Sequence, residues 1–267
     1  GIFLLSVCLF LAVGHQLNSV TELRRLTWML LAAGVVTTSL QVTMLPQLRV
    51  LGQFGTRPSS VGSLFWTWLV AVSFAQALFN RKMSAATRLC LLGITAIVLY
   101  HGLFQIRSWA SGWVPPVAAV GVILLFRVPR LVFGLTIAAV PVGLLLSGHI
   151  SRFFLGEESY SLMTRQEAWG VLWNIVERSP LLGTGPANYY YFTENFPLLG
   201  WYVRFISHNN YQDLLVQTGF LGLLAFFWFA FEAFWMMVRL YRQLPVGFAK
   251  AYVVGAIGGL MGSLVAG

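Results

Sequence analysis

Residues 211–238 read YQDLLVQTGFLGLLAFFWFAFEAFWMMV, and this stretch decides the fold. Between Asp213 and Glu232 it carries no charge, and crossing a hydrocarbon core of about 30 Å takes about 20 mostly apolar residues. Working outward, runs of the same kind recur near 27–45, 61–79, 88–106, 113–126 and 131–147, with partial ones at 1–14 and 248–267. The run at 113–126 is short, and reads as tilted, re-entrant or continuous with its neighbour. Composition agrees: 58% of residues are hydrophobic and 9% charged, against about 25% charged in ordinary soluble domains. The expectation is an all-α fold, a polytopic transmembrane helical bundle, and a soluble fold is excluded. The chain starts at Gly1 and both ends lie in apolar runs without a signal-peptide pattern, so it reads as a fragment of a larger bundle.

The net charge of +9 is not a nucleic-acid footprint, because of where the cations lie. Arg24 and Arg25, then Arg81, Lys82 and Arg88, then Arg127 and Arg130, then Arg239, Arg242 and Lys250 fall in every second segment between spans. That alternation is the positive-inside pattern. It assigns those segments to the cytoplasm and the loops at 46–60, 106–112 and 148–210 to the outer face. Six of the eight acidic residues lie in or beside the last loop. The chain therefore divides into transmembrane helices over 1–147, an outer loop over 148–210 and further transmembrane helices over 211–267. Cys8 and Cys90, inside apolar runs, read as small buried hydrophobes.

The loop from Gly148 to Asn210 concentrates the ionisable chemistry, and loops of this length are functional or disordered more often than not. Thr164-Arg165-Gln166-Glu167 has capping-box spacing, which predicts a short amphipathic helix from there to about Arg178, ended by Ser179-Pro180. Arg165, Trp169, Leu172 and Val176 then share one face. One reading is an interfacial helix with a snorkelling arginine; the other gives Arg165 a ligand. Leu182-Gly183-Thr184-Gly185-Pro186 lacks the lysine of a phosphate loop and the third glycine of a dinucleotide fingerprint, so it reads as a tight turn. Tyr189, Tyr190, Tyr191 and Phe192, with Trp201 and Tyr202, form either an interfacial aromatic belt or a platform for a sugar ring or headgroup.

His208 stands directly before the 211–238 helix, with Asn209 or Asn210 as the candidate N-cap and Asp213 in the first turn. The partial positive charge of a helix N-terminus, with arginines nearby, favours a neutral imidazole. A neutral imidazole can act as a general base; the alternative is a capping or interfacial histidine. Arg107, in the outer break at 105–109, is a mouth-lining charge of the kind that needs a partner to offset its desolvation. Asp213 is the only aspartate, so the chain holds no Asp-x-Asp metal motif, and no His-Glu-x-x-His motif occurs. Neither a metal nor another cofactor is expected, and arginine and histidine chemistry remains.

Arg165-x-x-x-Trp169, then Ser179-Pro180-Leu181-Leu182-Gly183-Thr184-Gly185-Pro186, then His208-Asn209-Asn210-Tyr211 and Gly219-Phe220-Leu221-Gly222-Leu223-Leu224 resemble, in order and spacing, the O-antigen ligase and polymerase family. The ordered match covers 164–227. The resemblance implies a bacterial inner-membrane glycosyltransferase of the GT-C type, with its active site on the periplasmic face. It further implies a glycan donor on undecaprenyl diphosphate, a glycan or lipid-linked acceptor, and transfer without a metal. Arg165 corresponds to the loop arginine, His208 to the loop histidine, and Arg107 to an arginine after an earlier helix, where the family more often has Ser-Arg and this chain has Ile106-Arg107. On that reading Arg107 and Arg165 bind the diphosphate and His208 and Arg165 are catalytic. Trp169, Asn209, Gly183 and Gly185 then support the sugar or the loop. Ligase and repeat-unit polymerase differ only in acceptor; the rival from another class is a small-anion transporter.

Overall fold

A computed structural model describes residue 8 and residues 11–42, 62–105, 110–145, 159–186, 188–205, 207 and 209–266. Those residues are helical throughout apart from turns and a two-residue bridge. The helices are α1 (Val20–Val42), α2 (Ser63–Phe79), α3 (Ala85–Tyr100), α4 (Ala110–Arg127), α5 (Pro129–Leu145), α6 (Ser159–Val176), α7 (Tyr189–Thr193), α8 (Asn210–Gln243) and α9 (Phe248–Ala266). Four helical stretches, 85–105, 110–127, 210–243 and 248–266, are long and apolar enough to cross a membrane, and Ser63–Phe79 is a shorter apolar helix. The protein is a multi-pass helical membrane protein, as the apolar runs predict. By contact the chain separates into two units, residues 1–136 with 237–266, and residues 137–236.

In the first unit α2 is the central element. Leu69, Val70, Ala71 and Ala75 are fully buried, and the helix is packed by α1, α3, α4 and α9. Helix ends follow local chemistry. Ser19 and Glu22 exchange side-chain bonds to each other's amides at the start of α1. Ser84 accepts the Thr87 amide at the start of α3. Pro129, whose ring presets a helical φ, opens α5 one residue after α4 ends. That single-residue break settles the short run at 113–126 as a separate helix, with Pro115 and Pro116 in its early turns. Beyond α3 the chain makes a π-helical turn, His101–Gln105, in which Gly102 lies against Trp113.

Helix α9 packs closely through Gly255, Gly258, Gly259 and Gly262, which share one face. A methyl group at Gly258 would sit 2.7 Å from Ile123 Cγ1, and one at Gly262 would sit 2.7 Å from the Pro115 carbonyl oxygen. Bundles in lipid lack a hydrophobic drive between helices, so small residues that admit close backbone approach supply the contact. Polar pairs supplement it. Ser73 and Thr95 are joined at 2.9 Å between α2 and α3, and the Gln76 amide donates to the Phe248 carbonyl at 3.2 Å. Cys8 and Cys90 depart from expectation: both are exposed. Apolar side chains in a bilayer protein satisfy the solvent by facing lipid, so an apolar run alone does not imply burial in protein.

The second unit has its own core. Val171, Leu172, Ile175 and Val176 of α6 meet Tyr189 of α7 and Leu215 and Val216 of α8. One sequence expectation, the bounds of the loop helix, changes here. Helix α6 begins at Ser159, five residues before the capping-box threonine, and ends at Val176. Its buried stripe is Ala168, Val171, Leu172, Ile175 and Val176, whereas Arg165 and Trp169 are exposed. The capping-box spacing occurs inside a helix because Glu167 serves a tertiary contact, accepting the Leu199 amide at 2.7 Å. The turn around Leu199 and Gly200, both at positive φ, is closed by paired amide bonds between Leu198 and Trp201.

Helix α8 is not continuous. At Gly219 the backbone adopts φ 66° and ψ −171°, a region open essentially only to glycine. The turn after α6 fills the break. Thr184 and Gly185 donate to the carbonyls of Val216 and Gln217 at 2.9 and 3.0 Å, and Phe220 and Leu221 donate to those of Pro180 and Leu181 at 2.8 and 3.3 Å. A broken helix at membrane depth is tolerated where protein re-satisfies the freed backbone groups. The Ser-Pro-Leu-Leu-Gly-Thr-Gly turn and the Gln-Thr-Gly-Phe-Leu segment are the two halves of that clasp.

Candidate functional site

The candidate residues of the sequence fall on three kinds of ground. Arg107 and His208 lie outside the described residues. Arg165 is described and lies exposed on α6. Three arginines are described in the second unit, and two are committed elsewhere. Arg178 lies 5.2 Å over the Phe196 ring. Arg204 pairs with Glu194 at 2.5 Å and stacks 5.0 Å over Tyr191, and the Glu194 carboxylate raises its pKa further above the ordinary arginine value. Among the described residues Arg165 has neither an ion pair nor a ring contact.

Trp169 stands next to Trp173, their rings 6.2 Å apart, and with Gly170 and Asn174 they line an open groove on the exposed face of α6. Both indoles are about two-fifths exposed. The glycine between them removes the side chain that would fill the groove, and the Asn174 amide adds a donor and an acceptor.

Asn209 is the N-cap of α8: its Oδ1 accepts the amides of Tyr211 and Gln212, each at 3.0 Å. Next to it is a polar cluster that reading by motif missed. Asp213 accepts from the hydroxyls of Tyr189 and Ser207. The Tyr189 hydroxyl in turn accepts the Ser207 amide at 3.1 Å, and Ser207 Oγ accepts the Asn209 amide at 3.0 Å. Burial, and then the bond to Asp213, push the Tyr189 phenol up to about 12. Tyr189 read as one member of an aromatic run; the signal available was that the chain's only aspartate sits in the first turn of α8. The cluster fixes Ser207 and Asn209, the residues on either side of position 208.

Gly183 and Gly185 take positive φ, 68° and 92°, as a tight turn requires. A methyl group at Gly183 would fall 2.5 Å from the Gln217 carbonyl carbon. Their place is in the clasp. One unit of structure thus holds the α6 arginine, the glycine turn and the capped start of α8.

The family model described as O-antigen ligase matches residues 81–227, more than half of the chain. The chain belongs to the O-antigen ligase family. No curated protein and no solved structure matches it. The O-antigen ligase match reaches well upstream of the motif set at 164–227, taking in α3, α4 and α5, and it encloses positions 107, 165 and 208. It ends in α8 shortly beyond the clasp. As an O-antigen ligase family member the protein is a membrane glycosyltransferase of the ligase and polymerase kind, at work in polysaccharide biosynthesis.

Proposed function

We propose that this protein transfers a glycan from undecaprenyl diphosphate to a sugar hydroxyl of its acceptor, without a metal, at the periplasmic face of the bacterial inner membrane. The observation that supports the reading is the arrangement in the second unit. Helix α6, carrying Arg165, shares a core with α8, and the residues flanking position 208 are tied to Tyr189 and Asp213 at the head of α8. Arg165 and Arg107 hold the diphosphate, whose negative charge grows as the anomeric carbon–oxygen bond breaks. Guanidinium suits that task because it keeps its proton and offers paired donors in a fixed plane. In a partly dehydrated site each such donor is worth about 3 kcal/mol in the transition state.

His208 takes the proton of the attacking hydroxyl while that oxygen bonds to the anomeric carbon from the face opposite the diphosphate, inverting the configuration. General-base assistance of this kind contributes about 100- to 10,000-fold. Asn209, Gly183 and Gly185 hold the loop, and Trp169 offers a face to a sugar ring. Asp213 is engaged by two hydroxyls, which supports a mechanism resting on cations of the chain. A ligase rather than a polymerase is the reading adopted; the acceptor decides between them.

The test is incubation of the full-length protein with undecaprenyl-diphosphate glycan and candidate acceptors, with and without chelator. His208→Ala is expected to reduce transfer at least about a hundredfold, and Arg165→Lys to weaken donor binding although the charge is kept. Transfer by His208→Ala at the wild-type rate would remove the base assignment, and loss of transfer on chelation would remove the metal-free mechanism. Chain growth in place of single attachment would make the protein a polymerase.

A further inference from the structure

The first unit carries a pocket that the transfer reaction does not use. It is a cavity of about 220 Å³ where the ends of α2, α4 and α8 meet the start of α9. Three cations line it from three elements: Arg81 just after α2, Arg127 at the last position of α4, and Lys250 in the first turn of α9. Its floor is aromatic. The Tyr241 ring is met edge-on by Phe126 at 4.9 Å and by Phe79 at 6.5 Å. Lys250 Nζ lies 4.5 Å over the face of the same ring.

Among the described residues no acidic side chain lines the cavity. No carboxylate among the described residues forms an ion pair with Arg81, Arg127 or Lys250. The cavity is also held in shape. Buried Asn80 donates to Gln76 at 2.9 Å and Gln76 donates to the Phe248 carbonyl at 3.2 Å, which ties the loop carrying Arg81 to the helix carrying Lys250. Three like charges converging on one small hollow repel one another, and an anion between them turns that repulsion into attraction.

We propose that this pocket binds the phosphodiester headgroup of an anionic membrane lipid. The volume lies below the about 300–1,000 Å³ typical of pockets for drug-sized ligands, so it suits a single phosphate group and not an oligosaccharide. A lipid source is favoured over free phosphate by position. The pocket lies at helix ends, exposed Val246 forms part of its rim, and a tyrosine lies at its base; aromatic and apolar surface beside cations is the composition of a headgroup boundary. The arginine and lysine pattern of the sequence assigns these helix ends to the cytoplasm, where basic pockets between spans meet anionic headgroups. The site is separate from the glycosyl-transfer reading and does not depend on it.

The experiment uses the full-length protein, reconstituted in nanodiscs of phosphatidylcholine alone or doped with phosphatidylglycerol, then delipidated, with retained lipid counted by native mass spectrometry. The wild type is expected to keep phosphatidylglycerol and lose phosphatidylcholine. Arg81→Gln/Arg127→Gln/Lys250→Gln should weaken that retention by roughly a hundredfold, at about fivefold per cation. Arg25→Gln/Arg130→Gln/Arg242→Gln removes the same charge outside the cavity and should weaken retention clearly less than the cavity triple variant. Arg127→Lys, which keeps the charge, should retain the lipid and shows that the site survives substitution. Equal losses in the two triple variants would mean a diffuse surface potential and overturn the pocket. Equal retention of phosphatidylcholine would overturn the anion. Displacement of phosphatidylglycerol by millimolar inorganic phosphate, with no preference for the lipid, would overturn the lipid source.

Discussion

Replacing Gly219 by alanine tests the clasp between the glycine turn and the broken helix. The new methyl group would fall 2.3 Å from both the carbonyl carbon and oxygen of Leu181 and 2.6 Å from the Leu182 nitrogen. Those are backbone atoms with no rotamer to give way, and φ 66° with ψ −171° is itself worth about 1–3 kcal/mol of strain for a residue with a side chain. The variant therefore opens the clasp. Helix α8 can then heal, because Phe220 and Leu221 can donate to Val216 and Gln217 as in any helix. The turn has no such recourse: the carbonyls of Pro180 and Leu181 and the amides of Thr184 and Gly185 lose their partners. At about 0.5–1.5 kcal/mol for each hydrogen bond, with water replacing part of the loss, the net cost is about 3 kcal/mol. For a domain of this size that corresponds to a fall in Tm of about 6–12 °C. Thermal unfolding in detergent, with amide hydrogen exchange followed at Thr184 and Gly185, reads both consequences. Gly134→Ala is the control, since a methyl group there meets nothing within 4 Å and the exchange raises helix propensity. A Gly219→Ala protein that melts with the wild type and keeps Thr184 and Gly185 protected would refute the reasoning.

Further expectations follow from the geometry. Asn209→Ala removes the acceptor for two α8 amides and should cost about 1 kcal/mol by thermal unfolding, with Asn209→Asp restoring it. Gly258→Leu forces a side chain into Ile123 and should destabilise by about 1–3 kcal/mol or more, whereas Gly134→Leu should not. The Tyr189 phenol keeps its proton in the folded protein to about pH 12, whereas in the unfolded chain it ionises near 10. The stability it contributes is therefore whole below pH 10 and is lost as pH rises through 12. Ultraviolet titration of tyrosinate should show one fewer late-ionising tyrosine in Tyr189→Phe than in the wild type; an unchanged titration would mean that burial and Asp213 do not hold the Tyr189 proton.

Much of the fold was legible from apolar run length alone. A helix that crosses a bilayer must satisfy its own backbone and present apolar side chains, so the run at 88–106 could be read as the helix that is α3 and that at 211–238 as α8. Turn chemistry was legible at Gly183 and Gly185, because only glycine takes those angles cheaply. A cap at Asn209 or Asn210 was legible because a short polar side chain before an apolar run has few other uses, and the structure selects Asn209.

Which face of α6 packs inward was not legible. Arg165, Trp169, Leu172 and Val176 do share a side by spacing, but the core formed with Tyr189, Leu215 and Val216 selects a stripe that leaves the first two exposed. The break in α8 was hidden for a related reason: glycine is common in spanning helices, and only the partner turn reveals which glycine bends the chain. The cysteines went astray because apolar sequence does not say whether the apolar neighbour is protein or lipid.

Composition and the order of motifs thus determined on their own that this chain is a helical membrane protein and which family it resembles. The tertiary structure alone decided that the glycine turn and the Gly219 break are one clasp, that Tyr189 and Ser207 converge on Asp213, and that Arg81, Arg127 and Lys250 share a hollow. The physical reason is the range of the forces involved. Transfer of apolar residues into lipid and backbone angles at glycine are properties of short segments. Hydrogen bonds and charge clusters between segments depend on which distant residues the packing brings within a few ångströms.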